Sequence, residues 1–448
     1  MRKATHDGNR QGDEARRCGV RGAVALLRGC PQKEEPVRLD PLGVGKVVAF
    51  LSRSPRKEKP VRLDPRGFRR WVALLTGLLL AACTGGGARP EPLPPVASSG
   101  ILALTTNFQI GSFSVAPLDD PAQMSGDLGQ AHGDSVARAQ FGAVYVVNRY
   151  GGDNIQRLDP ERNFAALWQC SVGNGSNPHD LAQVASDKAY VTRYEAASLA
   201  IVDPSTGPEC AGFLRGEVDL SAFADADSVP EMDQMVVVGE YLFVSLQRLD
   251  RRTFEPSGQS LLAVIDTSTD SIVDVDPATP GLQGIELLGR NPFAETKGLP
   301  LDPLSGKILV ASVGSFARLD DGGIEIVNPW TLRSEGFLVT AAALGGNIND
   351  FVIAGSGRGY AVITDERFNN SVIRFDPSNG TVLATLLEGP DYLPDIEWVP
   401  ERGWLLVADQ NLYRPGIWIF TADDKPLDPA PIRTGSLPPF NLLVLPES

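Results

Sequence analysis

One kind of apolar run recurs seven times between residues 101 and 411, and no other feature of the 448-residue chain limits its fold so tightly. The runs are ILALTTN from 101, VYVVNRY from 144, AYVTRYE from 189, LFVSLQR from 242, ILVASVG from 308, YAVITDE from 360 and LLVADQN from 405. Their spacings are 43, 45, 53, 66, 52 and 45 residues. A second run follows each: GSFSVAP from 111, NIQRLDP from 154, SLAIVDP from 198, LLAVIDT from 261, GIEIVNP from 323, SVIRFDP from 371 and GIWIFTA from 416. Short β-branched and aromatic stretches bounded by Gly, Pro, Asn and Asp are strands and turns. Three second runs lead into DPSTG at 203–207, DTSTD at 266–270 and DPSNG at 376–380. In such turns Asp accepts backbone hydrogen bonds, Pro presets φ and Gly supplies positive φ. An outer strand such as TVLATLL at 381–387 comes next.

A repeat of about 45 residues built from short antiparallel strands is a propeller blade, and a lone blade cannot cover both its faces. The blades must therefore stack in a ring. The C-terminal NLLVL at 441–445 stands where an inner strand is missing before the first run, and predicts that the last strand closes the ring. Closure removes exposed sheet edges. The predicted fold class is all-β: a seven-bladed β-propeller of four-stranded blades over residues 101–448.

Within this pattern, AYVTRYEAASLAIVDPSTG at 189–207, preceded by NPHDLA at 177–182, resembles the YVTN-type β-propeller repeat family. The resemblance spans roughly residues 100–446, sharpest over 144–207 and 351–387 and weakest over 101–135 and 234–295. It implies the fold strongly and the function weakly, because propellers host unrelated activities. Members of this broad family include surface lipoproteins that present small molecules such as cobalamin to outer-membrane transporters, and periplasmic binding proteins. The partners it implies are a small molecule or an outer-membrane transporter.

The segment ahead of the repeats reads as an export signal. Arg69 and Arg70 precede WVALLTGLLLAAC, which ends at Cys83. Thirteen apolar and small residues are too few to span a bilayer, which takes about 20. A basic flank, a short apolar stretch and small residues before a cysteine read as an export signal over 61–82, and Leu80-Ala81-Ala82-Cys83 resembles the lipobox of bacterial lipoproteins. The Cys83 thiol is then the nucleophile that receives a diacylglycerol. Thr84, rather than Asp, follows it, which resembles the outer-membrane sorting pattern of Gram-negative lipoproteins. The expected location is the cell envelope, with the lipid anchor as the link to the membrane. Residues 83–100, rich in Gly and Pro, read as a tether. The signal starts late. Upstream, EPVRLDP at 35–41 recurs as KPVRLDP at 59–65 in a polar, charged stretch that cannot bury a core. Residues 1–60 are thus either a non-native extension, with translation starting near Val61 or Leu63, or a disordered one.

Charge narrows the partners. The formal net charge is -14, yet residues 1–82 carry 18 basic and 8 acidic side chains, leaving 23 basic and 47 acidic ones after them. That surplus repels phosphates, so no nucleic-acid partner is expected. It suits a soluble surface, or cationic or neutral ligands. Of five cysteines, Cys18 and Cys30 lie in the extension and Cys83 in the lipobox. Cys170 and Cys210 remain as a candidate disulfide in an oxidising compartment, if strands of neighbouring blades approach closely enough.

Propeller ligands usually sit at a mouth of the central channel, where the loops that enter the inner strands converge. Asp134, Asp180, Asp233, Asp350 and Asp395 each stand just ahead of an inner strand; Lys297-Gly298 and Asn441 replace them in the other two blades. Five carboxylates on one axis repel each other unless a cation, water or a basic ligand compensates. They form a Ca²⁺ or cationic-ligand site, since hard oxygens suit Ca²⁺, or each caps its own loop. Residues that leave the first runs differ from blade to blade, as an asymmetric ligand requires: Arg149 and Tyr150, Arg193, and Arg367. His132 and His179 are the only histidines after the signal and could join carboxylates around a transition metal, but no ligand spacing supports them. FADADSVPEMD at 223–233 is loosely like a calcium loop; it lacks the Gly and the terminal Glu in register and reads as a polar insertion. No GxSxG elbow, CxxCH haem site or repeated Trp docking motif is present, so no catalytic residue is assigned. The leading expectation is a tethered binding module for a small ligand or partner protein. A propeller lactonase using Asp180, Asp233 and Asp350, with or without a divalent metal, is the alternative, and a scaffold for envelope proteins is the third.

Overall fold

The computed structural model describes residues 98–316, 318–319 and 321–446. The extension 1–60, the signal 61–82, Cys83 and the tether up to 97 lie outside the described residues. Among the described residues no helix is long and apolar enough to cross a membrane.

Each of the seven recurrent runs is the second strand of a blade. The runs fall in Ser98–Thr106, Ala143–Asn148, Lys188–Arg193, Tyr241–Leu246, Ile308–Ser312, Arg358–Thr364 and Trp404–Asp409. Both faces of these strands are covered by neighbouring blades, so Ala143–Asn148 is buried at every position. Double burial is why the runs are continuously apolar rather than alternating. Outer strands have one wet face, and Leu214–Asp219 buries only Val218 fully.

The strands assemble into seven antiparallel sheets, one per blade. The C-terminal strand Pro439–Pro446 is the inner strand of the first blade, with Leu442 opposite Ala103 and Asn441 opposite Leu104. The first strand begins at Ser98, so the last three residues of the stretch read as tether are part of the blade. The Asp turns form as expected. Asp203, Asp266 and Asp376 accept the amides of Ser205, Ser268 and Ser378 at 2.8, 2.8 and 2.9 Å. Hydroxyl bonds from Ser268 and Ser378 hold the Asp266 and Asp376 carboxyls below the ordinary range.

Three blades depart from four regular strands, the fourth by gaining a short fifth strand and the fifth and seventh by having three. The seventh has three, and its outer edge is completed by single bridges, Ile417 to Ile432 and Phe420 to Pro426. In the fifth, the inner position is held by an irregular segment that bridges the second strand at its two ends, Pro292–Ser312 and Leu301–Ile308, rather than along a continuous ladder. The long 66-residue spacing before ILVASVG is accounted for by this segment and by the pair Ile285–Glu286, which folds back on the fourth blade.

Cys170 and Cys210 are disulfide-bonded, with Cα atoms 5.6 Å apart. The geometric difficulty of bridging two outer strands does not arise. Cys170 lies on the outer strand Ala165–Ser171 of the second blade, but Cys210 sits in the loop that precedes the outer strand of the third. That loop folds back onto its neighbour.

Candidate functional site at the central channel

The five aspartates do not form one ring. Asp180, Asp350 and Asp395 occupy equivalent positions, and each accepts a backbone amide from the next blade's inner strand. The donors are Met235 at 2.7 Å, Ile396 at 2.8 Å and Leu442 at 2.5 Å. Asn441 does the same for Ala137 at 2.6 Å, and its own amide donates to Asp395 at 2.8 Å. These residues stitch consecutive blades together around the axis. Asp134 and Asp233 lie outside that register. Asp134 pairs with Arg149 at 2.5 Å, and Asp233 meets His179 Nδ1 at 2.8 Å and the Gln247 amide at 2.9 Å. The expected convergence of five carboxylates is corrected, because the position just ahead of an apolar run is not one register position: Asp134 and Asp395 precede their inner strands, whereas Asp180, Asp233 and Asp350 lie within theirs.

The charge compensation comes from inside the chain. Arg138 donates to Asp180 at 2.6 Å. Lys297 lies 2.7 Å from Asp350, 3.1 Å from Asp395 and 3.7 Å from Glu397, and also donates to the Ile396 carbonyl. Lys297 belongs to the irregular segment of the fifth blade, which bonds to the second, fourth, sixth and seventh blades. Arg138, from the second blade, reaches its Thr296 carbonyl at 2.8 Å, and Arg149 its Glu295 carbonyl at 2.9 Å. Gln234 donates to the Lys297 carbonyl at 3.0 Å. A regular strand would keep these carbonyls in its ladder; the broken one frees them to bind across the axis. Burial disfavours the Lys297 ammonium, but the facing carboxylates outweigh it and hold its pKa above the ordinary value. Burial, aided by the Asp395 charge, pushes Glu397 up to about 7 against the pull of Lys297.

At the mouth where the inner strands begin, the nominated residues are already engaged. Arg149 is buried between Asp134 and Glu295, and its guanidinium lies 5.7 Å from the centre of the Phe440 ring. His179 stacks on Tyr194, ring centres 4.4 Å apart, and the Tyr194 hydroxyl donates to Gln247 at 2.8 Å. Arg193 turns back into its own blade, to Ser198 and Glu217. Tyr150 and Arg367 are exposed on loops. His132 accepts the Asp134 amide at 3.2 Å, within its own loop. Among the described residues, no grouping of three metal-binding side chains contains His132, His179 or any of the five aspartates.

The other mouth, where the inner strands end, holds a cavity of about 680 Å³. Its floor is charged, with Arg138, Asp180, Lys297 and Glu397, and its wall is apolar, with Met235, Val237, Phe351, Ile353 and Trp398. Phe141, in the turn after the second blade's inner strand, is 64% exposed at the rim. Trp398 is stacked on Tyr360, ring centres 5.8 Å apart. A concave apolar wall around a few polar groups is the usual form of a small-molecule site. Of the candidates chosen from the sequence, Asp180 lines this cavity and the others do not. The available signal was the apolar ends of the inner strands, QMVVV, FVIA and IEWV.

No protein-family model matches the sequence, and no curated protein is similar to it. Solved structures with similar folds include a Bacteroides fragilis protein provisionally named 6-phosphogluconolactonase, at 14% identity and TM-score 0.52, covering 79% of this chain and 99% of that one. A functionally unknown protein from Desulfotomaculum acetoxidans has 11% identity and TM-score 0.51, covering 78% of this chain and 100% of that one. A quinonprotein alcohol dehydrogenase-like protein from Bacteroides thetaiotaomicron has 10% identity and TM-score 0.51, covering 78% of each chain. At such identities the likeness establishes the architecture alone: the chain is a seven-bladed β-propeller.

Proposed function

We propose that this chain is an envelope lipoprotein, anchored through Cys83, whose propeller holds a small ligand in the funnel where the inner strands end. The observation that carries the reading is the cavity itself, about 680 Å³ with a charged floor and an apolar, Trp398-bearing wall. Such a shape favours a molecule with an apolar body and one polar or charged end. The lipobox and the YVTN-like repeats at 189–207 support a role in capture, or in presentation to a transporter. The mouth where the inner strands begin supports it less, because Arg149 and Arg193 are bonded within the protein.

Native mass spectrometry of the protein purified gently from its own cells tests this. The wild type is expected to carry a stoichiometric organic adduct. Trp398→Ala and Phe141→Ala, both at the funnel, are expected to lose it while retaining the folded charge distribution. A bare wild-type protein, or an adduct that persists in both variants, refutes the funnel as the binding site.

A further inference from the structure

The loop 223–233, FADADSVPEMD, connects the short turn Ser221–Phe223 to the fourth blade's inner strand Met232–Val238. Its sequence lacks the register of a calcium loop, yet the fold supplies what the register does not. Asp225, Asp227 and Glu231 bring one carboxylate oxygen each within 4.8 Å of the other two. Part of each carboxylate is already held. Asp225 accepts the Asp227 amide at 3.2 Å, Asp227 the Val229 amide at 3.1 Å, and Glu231 the Leu249 amide at 3.1 Å.

The remaining oxygens are the informative ones. Glu231 is 1% exposed, and its Oε1 has no hydrogen-bond partner; Asp227 Oδ2 is buried and has none either. Arg251 Nε stands 3.8 Å from the first and 3.9 Å from the second, beyond hydrogen-bond reach, while its Nη2 pairs with Glu195. Burial, with the charges of Asp227 and Asp225, pushes Glu231 up to about 8. Native proteins rarely leave buried carboxylate oxygens without a partner. Nothing in the channel needs this cluster, whose three acids all lie outside the funnel lining.

We propose that Asp225, Asp227 and Glu231 bind a calcium ion. All three ligands are hard oxygens with no His or Cys among them, which disfavours zinc. They come from one irregular loop, and calcium accepts irregular oxygen geometry where magnesium demands a near-ideal octahedron. The ion would join the loop to the 247–260 excursion, since Ser257 donates to Asp225 and Leu249 to Glu231.

The test is calorimetric titration of calcium chloride into the full chain stripped with chelator, with magnesium chloride as the comparison. One equivalent of calcium is expected to bind, with magnesium weaker by about tenfold or more. Asp225→Asn and Asp227→Asn, at partly exposed positions that tolerate an isosteric amide, are each expected to weaken calcium by about tenfold or more. Glu231→Gln is expected to abolish the calcium-dependent rise in melting temperature. Absence of calcium binding in the wild type overturns the assignment. So does calcium binding of unchanged affinity in both aspartate variants, which would place the ion elsewhere.

Discussion

Lys297 is one ammonium facing three carboxylates, so the group cannot be neutralised with all three ionised, and Glu397 is the most accessible of them. Its folded-state pKa is about 7, against an ordinary value of 4.5. The folded protein therefore holds this proton more tightly than the unfolded chain does. The sign follows by linkage: the stability this group contributes is complete below pH 4.5 and is lost as pH rises through about 7. Glu397→Gln keeps the shape and removes the titration. It is expected to be more stable than wild type at pH 8 by about 1–3 kcal/mol, with the difference shrinking towards pH 4.5. Urea unfolding at a series of pH values measures this, and parallel wild-type and variant curves would show that Glu397 is not the titrating group. The sequence placed Asp395 at the channel but gave Glu397 no role, because its environment is made by a lysine about a hundred positions away in a segment with no strand pattern. For the same reason Asp180, Asp350 and Asp395 were legible as axial residues, while their partners were not. A side-chain bond to the next blade's amide leaves no trace in local sequence.

Among the elements, the second strands were readable because burial on both faces makes them uniformly apolar, and the outer ones because turns of the DPSNG type announce them. The inner element of the fifth blade was not. NPFAETKGLPL at 291–301 contains two prolines and no alternation, and its polar groups bond across the axis rather than along a ladder. Sequence spacing recorded only that something there was long. The Cys170–Cys210 bridge is a second element whose feasibility rested on a loop conformation, since Cys210 adopts φ 55 where the chain turns back to the second blade. The bond closes a span of 40 residues. In the chain-entropy treatment a loop of that size contributes about 4 kcal/mol by restricting the unfolded state. Cys170→Ala together with Cys210→Ala is expected to lose about that much, plus a small packing loss where Cys170 is buried beside Trp168 and Val172. Guanidinium unfolding of oxidised wild type, reduced wild type and the double variant separates the two effects. Reduced wild type should fall between the others, and equal stability of all three would mean that the bridge constrains nothing.

At the scale of the whole molecule, the fold depends on one non-local event. The strand Pro439–Pro446 must return across more than 300 residues to pair with Ser98–Thr106, and seven blades become a closed ring only when it does. It brings more than a ladder. Leu442 packs among Ile101, Ala103, Leu406, Ala408 and Ile417, joining the first and seventh blades. Phe440 joins the cluster shared by the second and third blades. Asn441 links Asp395 on one side to Ala137 on the other. Truncation after residue 438 would remove all of this and expose the inner edge of an apolar strand, ILALTT, as a template for pairing with other chains. The truncated protein is expected to lose its single cooperative thermal transition and to elute as oligomers in size-exclusion chromatography. Asn441→Ala should stay monomeric and lose only about 1–3 kcal/mol, because it unpairs the buried Ala137 amide while Asp395 keeps its bond from the Leu442 amide and the sheet stays closed. The contrast between the two variants decides the matter. If the truncated chain is monomeric and melts as sharply as Asn441→Ala, the six remaining blades are stable as an open arc, and closure is a finishing contact rather than the step that makes the propeller one cooperative unit.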